Sequence, residues 1–349
     1  MVGNQEYTVL STQDLNTTIV SNTTDHGDVT SGKSVVMYVL FTLIATLGIS
    51  GNALVLFVFY KVTELRIFTN ILIANQSVVD LATSLLLLFT FVPPNIEFQH
   101  LHSNHSFLAH FICKVWASEF IYWAVIKIST TNLVFLTLER YFAIVYPLEY
   151  RIKAQKRTAV IVCLAAWIIG TSTAAYFPIT HYVDGDGECT KVSLSTGASV
   201  TIALIAFLST YVFPLLIMMF VYVSIFCVLR PNKVLSSLTQ VTYTASTSES
   251  TATTRLTPRE RGRKNVLMTM VLVCVVYAIC WTPDQVLYLY HNLIKHQDWS
   301  LPLHRIAILL AASNVCTNPF IYTLKYRSFQ RGLKKVFHRF SATRSDTMR

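Results

Sequence analysis

Residues 112–141 read ICKVWASEFIYWAVIKISTTNLVFLTLERY, an apolar run that ends in two adjacent charges and a phenol. A helix over 112–138 would be long enough to cross the roughly 30 Å of hydrocarbon in a bilayer. An arginine at a membrane boundary costs free energy unless it is paired, so a chain that keeps Arg140 beside Glu139 there has a use for it. We interpret Glu139, Arg140 and Tyr141 as a switch.

The composition extends this interpretation to the whole chain. Of its 349 residues, 53% are hydrophobic and 13% are charged, which is about half the usual charged share of a soluble domain. Apolar stretches of about 20 or more residues recur near 35–60, 70–94, 111–138, 158–179, 199–229, 266–292 and 303–324. They show no regular polar alternation and are too long for barrel strands. The sequence predicts an all-α membrane protein, a seven-transmembrane helix bundle.

The segments outside these seven spans predict four regions. Residues 1–34 are polar and form a disordered, glycosylated extracellular N-terminus without a cleavable signal, so the first span serves as its own insertion signal. The bundle covers 35–326, with a disordered inner loop at 231–262 that is rich in serine and threonine. A short amphipathic eighth helix lies on the inner leaflet at 327–338, followed by a cytoplasmic tail at 339–349.

Charge predicts the orientation of the bundle. Most of the 28 lysine and arginine residues fall in one set of connecting segments and in the carboxyl tail, and the positive-inside rule makes that side cytoplasmic. The opposite side is acidic and carries glycosylation acceptors at Asn16, Asn22 and Asn104. We expect a multi-pass plasma-membrane protein with its N-terminus outside and its C-terminus inside. The net charge of +10 then reflects topology, and no nucleic-acid partner is expected.

Cysteine and histidine positions predict a disulfide and no transition-metal site. Cys113 and Cys189 lie outside the apolar interior on the predicted extracellular side, where disulfides persist, and we expect them to be bonded. The residues before Cys189, at 181–188, have the Asp-Gly steps of a short hairpin. Histidines near the first outer loop match no zinc spacing.

Several polar residues lie within the apolar spans. For asparagines such as Asn314 and Asn318, hydrogen bonding between helices explains the position as well as a functional role does. A carboxylate such as Asp80 is expensive there and usually marks an ion or proton site. With Ser129, these residues form a plausible oxygen cage for sodium, by analogy with other hard cations.

Motifs in all seven spans carry a family resemblance. They are Asn52, Asp80, Glu139-Arg140-Tyr141, Trp167, Pro214, Cys280-Trp281-Thr282-Pro283 and Asn318-Pro319-Phe320-Ile321-Tyr322, one per span and in order. The chain resembles a rhodopsin-like (class A) G-protein-coupled receptor from about residue 35 to 338. Within that family it looks most similar to the neuropeptide receptors of the galanin and somatostatin groups.

The resemblance implies roles for individual residues. Cys113 and Cys189 are bonded; Arg140 is the switch that faces the G protein; Trp281 beside Pro283 is a toggle under the ligand pocket. The remaining implied roles are movement of Tyr222 and Tyr322 toward Arg140 on activation, a sodium site at Asp80, Ser129, Asn314 and Asn318, and a G-protein contact at Pro147 and Leu148. Sodium would be an allosteric ion, and no cofactor is expected.

Two positions lack the residues that define other ligand classes of this family. Tyr122 stands where amine receptors of this family have an aspartate, and Ala312 stands where opsins have their lysine. The predicted pocket is polar, aromatic and mixed in charge, comprising Glu119, Tyr122, Trp123, Lys127, Asp284, Gln285, Tyr288, His291, His304, Arg305 and Ile308. It suits a peptide with a basic group. Lys127 could instead pair with a nearby carboxylate, and Arg305 could meet a peptide carboxylate.

The predicted partners are an extracellular peptide, a heterotrimeric G protein, receptor kinases and arrestin, and membrane lipid. The alternatives are a receptor of the same class for a small molecule or lipid and, outside the class, a secondary transporter, which would usually show internal repeats. No enzyme activity is expected, because no histidine lies deep enough to pair with a serine or to bind a metal. Arg263 occupies the place where the family has a second acid restraining the switch arginine, so we expect activity without ligand, lowered by Arg263→Glu.

Overall fold

A computed structural model of the chain describes residues 29–91, 107–185, 187–229, 258–293 and 302–347. Seven helical segments are long and apolar enough to cross a membrane: Val35–Lys61, Phe68–Phe89, Phe107–Val145, Lys156–Ile179, Thr196–Val228, Val271–Leu293 and Leu303–Lys325. The seven-span prediction is confirmed. Asn16, Asn22, Asn104, the N-terminal segment 1–28 and the loop 230–257 lie outside the described residues.

The described residues form long and short helices in sequence order. The long ones are Val29–Lys61, Phe68–Phe91, Phe120–Val145, Lys156–Ala174, Phe213–Leu229, Pro258–Leu293, Pro302–Lys325 and Arg327–Thr347. Shorter ones are Phe107–Ile112, Pro147–Lys153, Tyr176–Ile179 and Thr196–Phe207. Cys113 is bonded to Cys189 near one end of the bundle, which we call the disulfide end. The opposite end is called the Arg140 end.

Span three is broken, although the sequence predicted one continuous helix there. After the helix Phe107–Ile112, residues Cys113–Ala117 form a π-helical turn. Glu119 then adopts a left-handed backbone conformation with φ of 60° before the helix resumes at Phe120. A π-turn adds a residue to the helical repeat, and a left-handed residue ends a right-handed helix locally. The long helix therefore starts below Glu119.

Span five has a second π-turn, at Leu208–Val212, just before Pro214 in the helix Phe213–Leu229. Proline has no backbone N–H and its ring clashes with the carbonyl four residues earlier, so a local widening of the helix relieves both problems. Pro283 and Pro319 lie inside the helices of spans six and seven.

Two predicted boundaries are wrong. The helix of span six begins at Pro258, inside the segment 231–262 that was predicted to be disordered. Proline is favoured in the first turn of a helix, and the glutamate, lysine and arginines that follow it are good helix formers. The eighth helix runs to Thr347 rather than ending at 338, because no proline or glycine follows 338 to stop it.

The core runs along the axis of the bundle, and the apolar surface faces outward. Ile126, Leu136 and Tyr322 are buried in the central cluster, while residues such as Phe220 are exposed on the periphery. Lipid-facing side chains need no protein partner. At the Arg140 end, the eighth helix is fixed to the bundle by Phe329, whose ring packs edge-on against Phe59 at 5.9 Å.

Candidate functional site

Arg140, the predicted switch residue, is held by its neighbour in sequence and also by span two. The Arg140 guanidinium donates hydrogen bonds to the Glu139 carboxylate and to Thr69 Oγ1. Thr69 Oγ1 in turn donates to Glu139 Oε1 at 2.8 Å. Glu139 is buried and the Arg140 side chain is 13% exposed, and each charge has its partner, which is the arrangement that makes such an ion pair tolerable.

Tyr150 is the third side chain that donates a hydrogen bond to Glu139, after Arg140 and Thr69. The Tyr150 hydroxyl, from the helix Pro147–Lys153, donates a hydrogen bond to Glu139 Oε1. Burial, together with the charge of Glu139, raises the pKa of Tyr150 to about 12, so the hydroxyl keeps its hydrogen at neutral pH. The sequence prediction missed Thr69 and Tyr150, because only the packing of span two and of the helix Pro147–Lys153 against span three brings them to Glu139.

Two other predicted switch residues, Tyr222 and Tyr322, make no hydrogen bond to Arg140 in the described part of the chain. The Tyr222 hydroxyl is 3.5 Å from Thr137 Oγ1 and 3.6 Å from Cys274 Sγ. Tyr322 is buried, and its hydroxyl has no hydrogen-bond partner in the described part of the chain. An unsatisfied buried hydroxyl is destabilising where it stands. The movement of Tyr222 and Tyr322 stays a prediction.

Other predicted switch residues pack against different parts of the bundle. Trp281 is buried two residues before Pro283 and has its ring 6.1 Å from that of Tyr277. Pro319 packs against span one so closely that a Cβ atom added at Gly51 would lie 2.9 Å from the proline Cβ. Tyr141 packs its ring edge-on against Tyr146 at 6.0 Å.

Asp80 accepts hydrogen bonds from three other side chains. Its Oδ2 accepts from Asn318 Nδ2 at 2.8 Å, and its Oδ1 accepts from Ser129 Oγ at 3.2 Å and from Gln76 Nε2 at 3.0 Å. The structure therefore brings Asp80, Ser129 and Asn318 of the predicted sodium set together. It adds Gln76, which the sequence prediction had not considered.

A small cavity of about 20 Å³ lies beside this cluster. It reaches from Asp80, Ser129 and Asn314 up to Tyr122 and Trp281. A space of this size accepts one water-sized occupant. Three of the four predicted sodium residues and the predicted toggle thus line one cavity in the middle of the bundle.

The disulfide joins the top of span three to a hairpin. Strands His181–Val183 and Cys189–Lys191 pair antiparallel, with Val183 opposite Cys189, which confirms the predicted hairpin. The turn between them is closed by hydrogen bonds between Asp184 and Glu188. The hairpin lies directly over the start of span three.

Burial changes the titration of two hairpin residues. Burial lowers the pKa of His181 from its ordinary value, although the hydrogen bond between its Nδ1 and the Phe177 carbonyl opposes the shift. Burial also lowers the pKa of Lys191, which pairs with His181 across the strands. Both side chains are partly buried.

The acidic side of the predicted pocket is built at the break in span three. Glu119 Oε2 accepts a hydrogen bond from Trp123 Nε1 at 3.1 Å. The Trp123 ring stacks on Phe177 with 5.7 Å between centroids and 7° between planes. Tyr122 lies where the charges of both Glu119 and Asp284 act on it. Asp284 Oδ2 also accepts from Gln285 Nε2 at 3.1 Å.

Lys127 does not pair with a carboxylate among the described residues, contrary to the alternative raised for it. Its Nζ donates to Thr210 Oγ1 at 2.9 Å and lies 5.8 Å from the centre of the Tyr176 ring. Thr210 reaches it because it lies in the π-turn of span five. The side chain is only 5% exposed.

The other predicted pocket residues surround the disulfide end of spans six and seven. His291 and His304 are buried with their rings edge-to-face at 6.1 Å. Ile308 packs on a small cluster beside Tyr122. Tyr288 and Arg305 are half-buried. Ligand contact by these residues stays a prediction.

The predicted G-protein contact is open at the Arg140 end. Leu148 is 80% exposed in the helix Pro147–Lys153, and Pro147 is exposed beside it. Because Tyr150 belongs to the same helix, this exposed surface is connected to the buried cluster around Glu139 by one hydrogen bond.

Comparisons with known proteins agree with this arrangement. Residues 51–322 match the family described as "7 transmembrane receptor (rhodopsin family)". The allatostatin-A receptor of Bombyx mori is 26% identical over 87% of this chain and 80% of its own length. The [Phe13]-bombesin receptor of Bombina orientalis is 28% identical over 93% and 82%, and galanin receptor 2b of Danio rerio is 30% identical over 87% and 75%. This chain therefore belongs to the rhodopsin family of seven-transmembrane receptors.

Proposed function

We propose that the chain is a cell-surface receptor that binds an extracellular peptide and activates heterotrimeric G proteins. The receptors it resembles are named for allatostatin-A, bombesin and galanin. The observation that carries the peptide class is that two carboxylates, Glu119 and Asp284, are close enough for both charges to act on Tyr122. Two carboxylates facing one site favour a basic group on the ligand.

The disulfide end is proposed to be extracellular. The basic residues of the chain collect toward the Arg140 end, as in Arg151 and Lys153 of the helix Pro147–Lys153, and the positive-inside rule makes such an end cytoplasmic. Oxidising conditions outside the cell also favour the bond between Cys113 and Cys189. The N-terminus would then be outside and the C-terminus inside.

The Arg140 end is proposed to receive the cytoplasmic partners. Leu148 and Ile152 are 80% and 74% exposed on one short helix, and exposed apolar side chains beside a buried switch suit a docking protein. The G protein is that partner, and kinases and arrestin act on serines and threonines of the third inner loop and tail. The eighth helix would rest on the membrane, since Phe337 is 61% exposed.

The test is guanine-nucleotide exchange by a purified G protein in membranes of cells that express the chain. A panel of basic neuropeptides, including amidated ones, is added, with calcium and cyclic AMP measured in parallel. At least one peptide should stimulate exchange. Activation by small molecules or lipids with no response to any peptide would contradict the peptide class, and transport without exchange would contradict the receptor function.

Two variants then test the pocket with the active peptide. Glu119→Gln and Asp284→Asn should each lower its potency about 30-fold or more, since breaking one buried charge pair costs about 2 kcal/mol or more. Glu64→Gln removes the same charge from the Arg140 end, where Glu64 pairs with Lys335, and should leave potency unchanged. Equal potency in all three variants would mean that the basic group binds elsewhere.

A further inference from the structure

A continuous chain of side-chain hydrogen bonds runs from span four to Asp80. Trp167 Nε1 donates to Asn75 Oδ1 at 3.0 Å, and Asn75 Nδ2 donates to Asn132 Oδ1 at 2.9 Å. Asn132 Nδ2 then donates to Gln76 Oε1 at 2.8 Å, and Gln76 Nε2 donates to Asp80 Oδ1 at 3.0 Å. These four hydrogen bonds join spans four, two and three.

The direction of these hydrogen bonds is determined by two groups that can act in only one way. An indole N–H such as that of Trp167 can only donate, and the Leu72 carbonyl, which accepts from Asn132 Nδ2 at 3.1 Å, can only accept. The oxygen and nitrogen of an amide are usually hard to tell apart. Here, turning any one of the three amides around would set two acceptors or two donors against each other. The N–H of Gln76 therefore has to point at Asp80.

That N–H lies where a cation would need to be. Gln76 Nε2 bridges Asp80 Oδ1 at 3.0 Å and Ser129 Oγ at 2.5 Å. A sodium ion held by Asp80 and Ser129 would need the lone pairs of the same two oxygens. The other oxygen of Asp80 accepts from Asn318 Nδ2 at 2.8 Å. The cavity beside Asp80 is large enough for a small ion. However, both Asp80 oxygens and the Ser129 hydroxyl oxygen already accept hydrogen bonds.

We propose that Gln76 takes the place of the sodium ion that the family resemblance implies. Its amide joins Asp80 of span two to Ser129 of span three, which is the link a bound cation would otherwise make. The surrounding structure then depends on a side chain that is always present, and the protein does not respond to sodium.

The test is thermal unfolding of the purified full chain in detergent, without peptide or G protein. The midpoint is measured in NaCl and in KCl at equal ionic strength. The wild type should unfold at the same temperature in both salts. Gln76→Leu removes the competing N–H, so sodium should raise its midpoint by roughly 2–4 °C relative to potassium, as expected for an ion that binds only the folded state.

Three further variants make the result specific. Adding Asp80→Asn to Gln76→Leu should abolish the sodium effect, because the carboxylate is lost. Gln155→Leu alters an exposed glutamine at the start of span four and should behave like the wild type. Gln76→Met keeps a side chain of similar length without the N–H, so the same sodium effect should appear in it even if Gln76→Leu does not fold.

A sodium-specific shift in the wild type as large as that in Gln76→Leu would overturn the proposal. So would a folded Gln76→Leu protein with no sodium effect, since the site would then not be a sodium site at all. Neither result involves a ligand, so the outcome is independent of the proposed peptide function.

Discussion

Tyr150 donates a hydrogen bond to the same carboxylate of Glu139 that holds Arg140. Tyr150 and Glu139 are 11 positions apart in the chain. Tyr150 lies on the helix Pro147–Lys153, whose Leu148 is exposed at the Arg140 end. A protein that docks on this helix and shifts it would therefore act directly on the restraint of the switch arginine.

The first prediction concerns Tyr150→Phe, which removes only the hydroxyl. A hydrogen bond to a charged group contributes about 1.5 kcal/mol or more, and its loss weakens the hold on Glu139 and so on Arg140. Exchange measured without ligand should rise roughly tenfold at matched surface expression. Tyr60→Phe, which removes a hydroxyl from a residue that is 70% exposed on span one, should leave the basal rate unchanged. A basal rate in Tyr150→Phe no higher than in Tyr60→Phe would show that the hydrogen bond does not restrain the switch.

The second prediction concerns the contact between spans three and four. A Cβ atom at Gly170 would lie 2.5 Å from the backbone nitrogen of Ile128, and backbone cannot turn aside as a side chain can. Gly170→Ala should therefore force the two helices apart and lower the unfolding free energy by about 1–3 kcal/mol. The measurement is the thermal midpoint of the purified chain in detergent.

Gly197→Ala is the matched control, because a Cβ atom there meets nothing within 4 Å. Gly197 lies in the first turn of the helix Thr196–Phe207, where alanine should be neutral or slightly stabilising. If the two alanine variants melted at the same temperature, the close approach at Gly170 would not matter for stability.

The seven spans and their order could be predicted from the sequence because they depend on local composition and length. The disulfide and the grouping of Asp80 with Asn318 were predicted from the placement of cysteines and of polar residues in the spans, and the family resemblance implied both. The break at Glu119 could not be predicted, since no glycine or proline interrupts 112–138. Turn signals are the only local evidence of such a break.

The missed site residues share a different cause. Gln76 meets Ser129 across 53 residues of sequence, and Thr69 meets Glu139 across 70. Each is an ordinary polar residue in an apolar helix, and its role depends on which side chains the neighbouring helix presents at the same depth. That information is tertiary, so periodicity cannot supply it.

The third prediction concerns Lys127, which has a threonine hydroxyl rather than a carboxylate as its partner among the described residues. Replacing a buried charge by an apolar side chain of similar shape is often neutral or stabilising. Lys127→Met should therefore keep or raise the thermal midpoint. Thr210→Val leaves the ammonium group without its acceptor and should lower the unfolding free energy by about 1–3 kcal/mol.

The double variant separates this pair from general damage to the core. Once Lys127 is methionine, Thr210→Val should cost far less than it does alone, because no buried charge is left unsatisfied. Additive effects of the two substitutions would mean that they act independently, and a Lys127→Met protein less stable than Thr210→Val would contradict the argument.

The fourth prediction concerns the dependence of hairpin stability on pH. Burial lowers the pKa of His181 below its ordinary value of 6.5, with Lys191 acting in the same direction and Glu119 against it. The unfolded chain therefore takes up a proton at this residue at a higher pH than the folded chain does. Stability is present above about pH 6.5 and is lost as the pH falls through and below that value.

His181→Gln keeps a donor for the Phe177 carbonyl, which the histidine Nδ1 contacts at 2.7 Å, but it cannot take up a proton. Between pH 7.5 and pH 5.5, the wild-type midpoint should therefore fall more than that of His181→Gln, because only the wild type gains a proton on unfolding. His338→Gln alters a histidine that is exposed on the eighth helix and should follow the wild type. The prediction fails if His181→Gln loses as much stability on acidification as the wild type does, since the lost protons would then belong to other groups.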